Sequence, residues 1–191
     1  MPELILASAS PRRHELLRQI GVDCRVAPVN IPEVPKSGET PYQFVERLAL
    51  EKARAGFERS DDDSVVLGAD TVVVHDGHIM GKPVNKADAI RMLQRLSASE
   101  HEVLTAIAVV GREQSCSQVV STRVRFIELD RTMCERYWDT GEPQDKAGSY
   151  GIQGLGAVFV TSIEGSYTSV VGLPLMETAA LLVQFDIDVW Q

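Results

Sequence analysis

From Val65 to Val74 the chain runs Val65-Val66-Leu67-Gly68-Ala69-Asp70-Thr71-Val72-Val73-Val74, apolar at nearly every position and not at every second one. A continuous β-branched run of this length is the pattern of a strand covered on both faces. Leu4-Ile5-Leu6-Ala7 reads as a second, shorter buried strand, and the chain then turns through Ser8-Ala9-Ser10-Pro11-Arg12-Arg13 into a helix. Ser10 suits its N-cap and Pro11 its first position, Leu16, Leu17 and Ile20 its inner face, and Gly21 its stop. Residues 22–39 read as a strand and an exposed loop. Thr40-Pro41-Tyr42-Gln43 has the capping-box spacing. Phe44, Val45, Leu48, Ala49 and Ala53 then mark a helix face to about Gly56, and an acidic, solvated turn follows over Glu58–Asp63.

Beyond the long strand, Val72 to His78 reads as a hairpin turning at Asp76-Gly77. Asn85 caps a helix to about Leu96 with Ile90, Leu93 and Leu96 inward. The alternating segments His101–Val110 and Gln118–Leu129 read as antiparallel strands. Asp130 caps a helix to Gly141 that buries Met133, Cys134, Tyr137 and Trp138. A Gly-rich stretch, 145–156, leads into a strand over Ala157–Ile163, and a last helix carries Leu175, Met176, Ala179, Leu182 and Val183. The 191 residues are expected to form a single globular domain over 1–191 with a full core, divided into two lobes by a cleft.

Composition narrows the partners. With 27 acidic residues against 19 Lys plus Arg the net charge is −8, which argues against nucleic-acid polymers and anionic membranes, so an anionic ligand needs a local basic cluster. Cys24, Cys116 and Cys134 form neither a CxxC pair nor a zinc spacing, so reduced core thiols and a cytoplasmic location are expected. Met1-Pro2-Glu3 lacks a basic n-region and no apolar run reaches a membrane span of roughly 18 residues, so a soluble, unprocessed chain is expected.

Within this frame several residues ask for a chemical reason. Asp70 stands in a strand where an unpaired charge would cost several kcal/mol. It either braces a neighbouring turn, with Gly68 allowing a bend, or serves as a carboxylate that binds a metal or takes a proton from water. Arg12 and Arg13 lie in the first turn of a helix, where cations oppose the dipole. With the hydroxyls of Ser8 and Ser10 and the free N–H groups they form either an anion site suited to phosphate or a solvated pair. Lys52, four residues after Leu48, lies at the border of its helix face and either snorkels or reaches inward. Lys82 follows Gly81, where a backbone can come close to a ligand. His75 and His78 flank a turn with no third ligand and are discounted as a metal site. The glycines of 145–156 fit neither a Rossmann fingerprint nor a P-loop, and point to close backbone approach to a flat ligand or to the Asp70 strand.

Several of these motifs occur together, in order, in one known family. Ser8-Ala9-Ser10-Pro11-Arg12-Arg13 with Glu15-Leu16-Leu17, Glu33, Ala49-x-x-Lys52-Ala53, Gly68-Ala69-Asp70-Thr71-Val72-Val73, Gly81-Lys82-Pro83, Asp145-Lys146-Ala147-Gly148, Gly151-Ile152-Gln153-Gly154 and Val171-Gly172-Leu173-Pro174 resemble the Maf family across nearly the whole chain. The resemblance implies an α/β fold related to inosine triphosphatases, a mixed, bent sheet with flanking helices and two lobes around a deep cleft. It implies a nucleoside triphosphate pyrophosphatase that cleaves between the α- and β-phosphates with a divalent metal, Mg²⁺ or Mn²⁺. By position, Asp70 is the proton acceptor, Arg12, Thr71 and Gln153 are specificity positions, and Ser8, Arg13, Glu33, Lys52 and Lys82 line the cleft. Glu33 and Asp70 are the implied metal ligands, and a homodimer is common in such families. The stretch from Asp145 to Gly154 resembles the dTTP/UTP branch, whereas the 7-methyl-GTP branch carries a different stretch there.

Two departures stand out. The segment from Leu96 to Val103 lacks the Gly and Thr usual before the family's His, and Pro32 stands where an acidic residue commonly precedes Glu33, one carboxylate fewer for a metal. Two rival readings are an aspartyl phosphatase, disfavoured because Val72 occupies the place of its second carboxylate, and a nucleotide sensor without turnover acting in division control.

Overall fold

The β-branched run beginning at Val65 forms a long, largely buried strand of the computed structural model, which describes residues 2–61 and 63–190; Asp62, within the expected acidic turn, lies outside the described residues. In chain order the elements are β1 (Leu4–Leu6), α1 (Pro11–Gln19), β2 (Arg25–Val26), α2 (Pro41–Phe57), β3 (Val65–His75) and β4 (His78–Met80). They continue with α3 (Lys86–Leu96), β5 (Glu100–Val110), β6 (Ser115–Phe126), α4 (Arg131–Asp139), β7 (Val160–Glu164), α5 (Tyr167–Val171) and α6 (Leu175–Val183). Short 3₁₀ turns occupy Glu142–Asp145, Ala147–Ser149 and Leu155–Phe159. The fold is mixed α/β, with strand order β2-β1-β3-β5-β6-β7 and β4 paired to β3. Pairing is parallel between β1 and both β2 and β3, and antiparallel between β3 and β4 and between β6 and β7.

Contacts gather the chain into two compact units. The first comprises the described residues up to Asp70, Thr105–Val120 and those from Gly172 onward; its core includes Leu6, Leu17, Leu48, Leu67, Ile107 and Leu182. The second comprises Thr71–Leu104 and Ser121–Val171, with Leu93, Leu96, Leu104, Val124 and Phe126 inside. Asp70 is the last residue of the first unit's leading segment, and Thr71 the first of the second.

Local rules account for most boundaries. Thr40 and Gln43 form the expected capping box at the start of α2, Asn85 and Asp130 cap α3 and α4, and Asp76 and Gly77 both adopt positive φ, as a type I′ hairpin turn requires. Several readings need correction, among them the inner face of α4, where Cys134 and Tyr137 are buried but Met133 and Trp138 only half-buried. The Ser10 hydroxyl makes no cap bond; the Ser8 hydroxyl instead accepts the Ser10 N–H at 3.2 Å. The expected strand over 157–163 begins only at Val160, because the Leu155 and Gly156 N–H groups donate to the Glu142 carboxylate and the chain turns through 3₁₀ geometry first. On α6 the buried residues are Thr178, Leu181 and Leu182, whereas Met176 and Val183 face solvent. Of the three free thiols only Cys134 is buried, Cys24 and Cys116 being half-buried.

Candidate active site

The site in the first unit begins with a glycine. A Cβ on Gly68 would stand 2.6 Å from the Ala53 nitrogen and closer still to the Ala49 carbonyl, so only glycine lets the α2 backbone settle onto β3 here. Gly68 therefore serves close approach, where the sequence reading gave it a bend. Ala49 and Ala53, both fully buried, form the seam, and Lys52 lies between them. That packing carries Lys52 inward: it is buried, and its Nζ lies 2.7 Å from Asp70 Oδ1 and 2.6 Å from Glu33 Oε1. Of the two readings of Lys52, the inward one holds.

Asp70 is 6% exposed, in the interior of β3. Burial pushes its carboxyl above the ordinary aspartate range; the charge and hydrogen bond of Lys52 and the charge of Arg13 pull against it, while Glu33 adds to the rise. A carboxylate whose pKa is raised is a stronger proton acceptor than an ordinary aspartate, and the ammonium beside it fixes its orientation.

Arg13 extends the cluster. Its Nε donates to the Gly172 carbonyl at 2.8 Å and its Nη1 to the Ser8 hydroxyl at 3.0 Å, so the turn after β1 and the Val171-Gly172-Leu173-Pro174 motif meet on one guanidinium. Burial lowers the Arg13 pKa, Asp70 and Glu33 raise it, and neighbouring Arg12 lowers it, so Arg13 feels both carboxylates and the adjacent guanidinium. Arg12 is half-buried in the first turn of α1. The bond to Gly172 was not legible in the sequence, since a backbone carbonyl 159 positions away leaves no residue-type signal.

A second anchor missed by sequence reading holds the Glu33 segment. Arg47 of α2 donates through Nη2 to the Val34 carbonyl at 3.1 Å, binds both oxygens of Glu39 at 2.5 and 2.7 Å, and reaches Glu51 one turn on. The Arg47 hydrogen bond chiefly holds the Glu39 pKa down, to about 2. Glu33, half-exposed itself, is the neighbour of a residue whose carbonyl is fixed to α2.

The remaining predicted positions belong to the second unit. Thr71 is half-buried in β3, and Lys82 is exposed two residues after β4. Gln153 is exposed within the Gly-rich stretch. That stretch is tied to its own unit: the Gly148 N–H donates to the Gly81 carbonyl at 3.1 Å, and a Cβ on Gly148 would strike the Val73 side chain at 2.9 Å. Close approach to the Asp70 strand, one of the two expected uses of these glycines, is thus present at Gly148. Tyr150, also buried, shares a hydrogen bond of 2.8 Å with His101 Nε2, and both rings pack edge-on against Phe126. Burial depresses His101 to about 4, so it is neutral at physiological pH.

Among the described residues no group of three or more His, Cys, Asp and Glu is gathered for a metal. Glu33 and Asp70, whose oxygens converge on the one Lys52 nitrogen, still offer a fitting donor pair. Hard cations such as Mg²⁺ take one or two protein carboxylates and complete their shell with water and phosphate oxygens. His75 and His78, paired across the β3–β4 hairpin, belong to no such group of three among the described residues.

The profile of the family described as Maf-like protein matches residues 3–185. A "dTTP/UTP pyrophosphatase" of Hahella chejuensis is 52% identical over 189 residues, 98% of this chain and 94% of the relative. A protein of the same name from Pseudoalteromonas atlantica is 54% identical over 182 residues, 94% of this chain and 95% of the relative. Among solved structures, a nucleoside-triphosphatase described as a dITP/XTP pyrophosphatase from Mycobacterium abscessus aligns over 96% of this chain and 94% of its own, with 16% identity and a TM-score of 0.46. No described helix is long and apolar enough to cross a membrane.

Proposed function

We propose that this chain, which belongs to the Maf family, hydrolyses dTTP and UTP to the nucleoside monophosphate and pyrophosphate. The observation that carries the reading is the buried Asp70 carboxylate, its proton affinity raised and its position fixed by Lys52, on a chain of net charge −8 that also brings the charge of Arg13 to bear on it. The name shared by full-length relatives above half identity supplies the substrate class.

Asp70 accepts a proton as water attacks the α-phosphorus, the α–β bridging P–O bond breaks, and the electron pair leaves with pyrophosphate. Charge neutralisation and positioning dominate such a step, and Arg12, Arg13, Lys52 and Lys82 supply them from this chain. Ser8 acts here by orienting the Arg13 guanidinium. Glu33 and Asp70 would hold a divalent cation, Mg²⁺ or Mn²⁺, which when bound neutralises phosphate charge and lowers the pKa of water. Thr71 and Gln153 are assigned to base selection. Free thiols, with Cys24 raised to about 11 by burial and Asp23, suit a reducing cytoplasm, and a homodimer belongs to the same reading.

Product analysis tests it. UTP or dTTP with Mg²⁺ should yield the monophosphate and pyrophosphate, with slower turnover of CTP, GTP and 7-methyl-GTP. Orthophosphate alone would mean a phosphatase, tight binding without product a sensor, and faster turnover of 7-methyl-GTP the other branch of the family. Each of these results contradicts the proposal.

A further inference from the structure

We infer that Glu142, acting with Tyr137, is the positioning residue that gives the Gln153 loop its fixed shape and so its preference for uracil and thymine over cytosine. The inference rests on the assignment of Gln153 to base selection. Uracil and thymine present an N3–H donor beside carbonyl acceptors, and a carboxamide can match them with one acceptor and one donor. Cytosine presents the opposite pattern, which the same amide matches by rotating half a turn. Glutamine therefore discriminates only if its surroundings hold it one way.

The second unit contains the means of holding the backbone. Glu142 Oε2 accepts the Leu155 N–H at 2.7 Å, and Oε1 accepts both the Gly156 N–H at 3.0 Å and the Tyr137 hydroxyl at 2.7 Å. The Tyr137 oxygen in turn accepts the Gly151 N–H at 3.0 Å. One carboxylate and one phenol thus bind the backbone on both sides of Ile152-Gln153-Gly154, with Ile152 buried beneath and Gln153 exposed at the centre.

The glycines of the stretch admit these two groups. A Cβ on Gly154 would overlap the Glu142 carboxylate, and one on Gly156 would lie 2.6 Å from the Tyr137 oxygen and 2.8 Å from the Gly151 carbonyl. A planar ligand is not needed to explain Gly154 and Gly156. Burial alone would raise the Glu142 pKa, but the hydrogen bonds from Gly156, Tyr137 and Leu155 and the charge of Lys146 bring it below the usual carboxylate range. The bonds are therefore charge-assisted at working pH, the stronger kind.

Glu142→Gln keeps the volume and provides one acceptor oxygen. Three donors converge on the two positions, so its NH₂ must face an N–H and the loop loosens while the core is untouched. Steady-state kinetics with UTP and CTP on wild type, Glu142→Gln, Tyr137→Phe, Gln153→Ala and the Glu142→Gln/Gln153→Ala double variant test the inference. Tyr137→Phe removes two of the four bonds yet keeps the ring against Phe159, 4.9 Å between centroids, so it decides the matter should Glu142→Gln fail to fold.

The expected result is a fall of about tenfold or more in the UTP-over-CTP ratio of kcat/KM, the scale of one mispaired polar group. It should be carried by KM for UTP with kcat nearly unchanged, and the double variant should be no less selective than Gln153→Ala alone. If Gln153→Ala shifts the ratio but folded Glu142→Gln and Tyr137→Phe keep the wild-type ratio, the inference is overturned and base selection by Gln153 stands. If Gln153→Ala itself leaves the ratio unchanged, both fall together.

Discussion

Lys52 Nζ and Asp70 Oδ1 lie 2.7 Å apart in a pair almost closed to solvent, and the contact depends on Gly68, where the α2 backbone rests directly on β3. A methyl at Gly68 would meet backbone atoms of Ala49 and Ala53, which cannot rotate away. Overpacking of this kind costs about 1–3 kcal/mol, occasionally more. Gly68→Ala should therefore lower Tm by about 5 °C or more and also reduce turnover, because α2 must lift and carry Lys52 with it. A variant with wild-type Tm and activity would contradict this packing.

Lys52→Met should be destabilising in a pH-dependent way. Because the Asp70 pKa is raised in the folded protein, its contribution to stability is fully present below the unfolded value and is lost as pH rises through the folded one. Lys52 is the first of the groups opposing that rise, so its removal lifts the folded pKa further. The deficit against wild type should be small near pH 4 and reach on the order of 3 kcal/mol at pH 8, the scale for breaking a buried ion pair. Denaturant titrations at the two pH values measure it; a pH-independent deficit would mean that Lys52 contributes packing alone.

His101 gives the opposite slope. Its pKa falls from the ordinary 6.5 to about 4 on folding, chiefly through burial, so its contribution is present above pH 6.5 and is lost as pH falls toward 4. The loss amounts to on the order of 3 kcal/mol. The contribution of Glu39, lowered from 4.5 to about 2, is lost from about pH 4.5 downward in wild type and in a His101 variant alike, so the difference between the two isolates the histidine. In His101→Gln, which can keep a hydrogen bond to Tyr150, thermal melts should lose this slope between pH 6.5 and 4.

Much of the architecture was legible because it is written in local patterns: the unbroken apolar run of β3, the capping box of α2, the Asp76-Gly77 turn. Asp70 declared itself by being a charge in such a run. The neighbours of Asp70 were less legible. Periodicity put Lys52 on the border of its helix, and only the closeness of two backbones at Gly68 turns that border inward. Glu142 gave no signal, since its partners are two backbone N–H groups and one phenol; the same bonds explain why Ala157–Phe159, expected to begin a strand, lie instead in a 3₁₀ turn that starts at Leu155. Gly172 holds Arg13 through a carbonyl, which any residue type could offer.

The central claim is that the buried Asp70 carboxylate is the proton acceptor for attack on a pyrimidine triphosphate. Asp70→Asn preserves the shape and removes the base, and Lys52 keeps Glu33 as a partner at 2.6 Å, so the fold should persist with a Tm within a few degrees of wild type. The direct test is the rate of pyrophosphate release from UTP with Mg²⁺ by purified Asp70→Asn protein of confirmed melting behaviour. The account predicts a loss of at least about a hundredfold, the range for removing a general base. Turnover near the wild-type rate in the folded variant would contradict it.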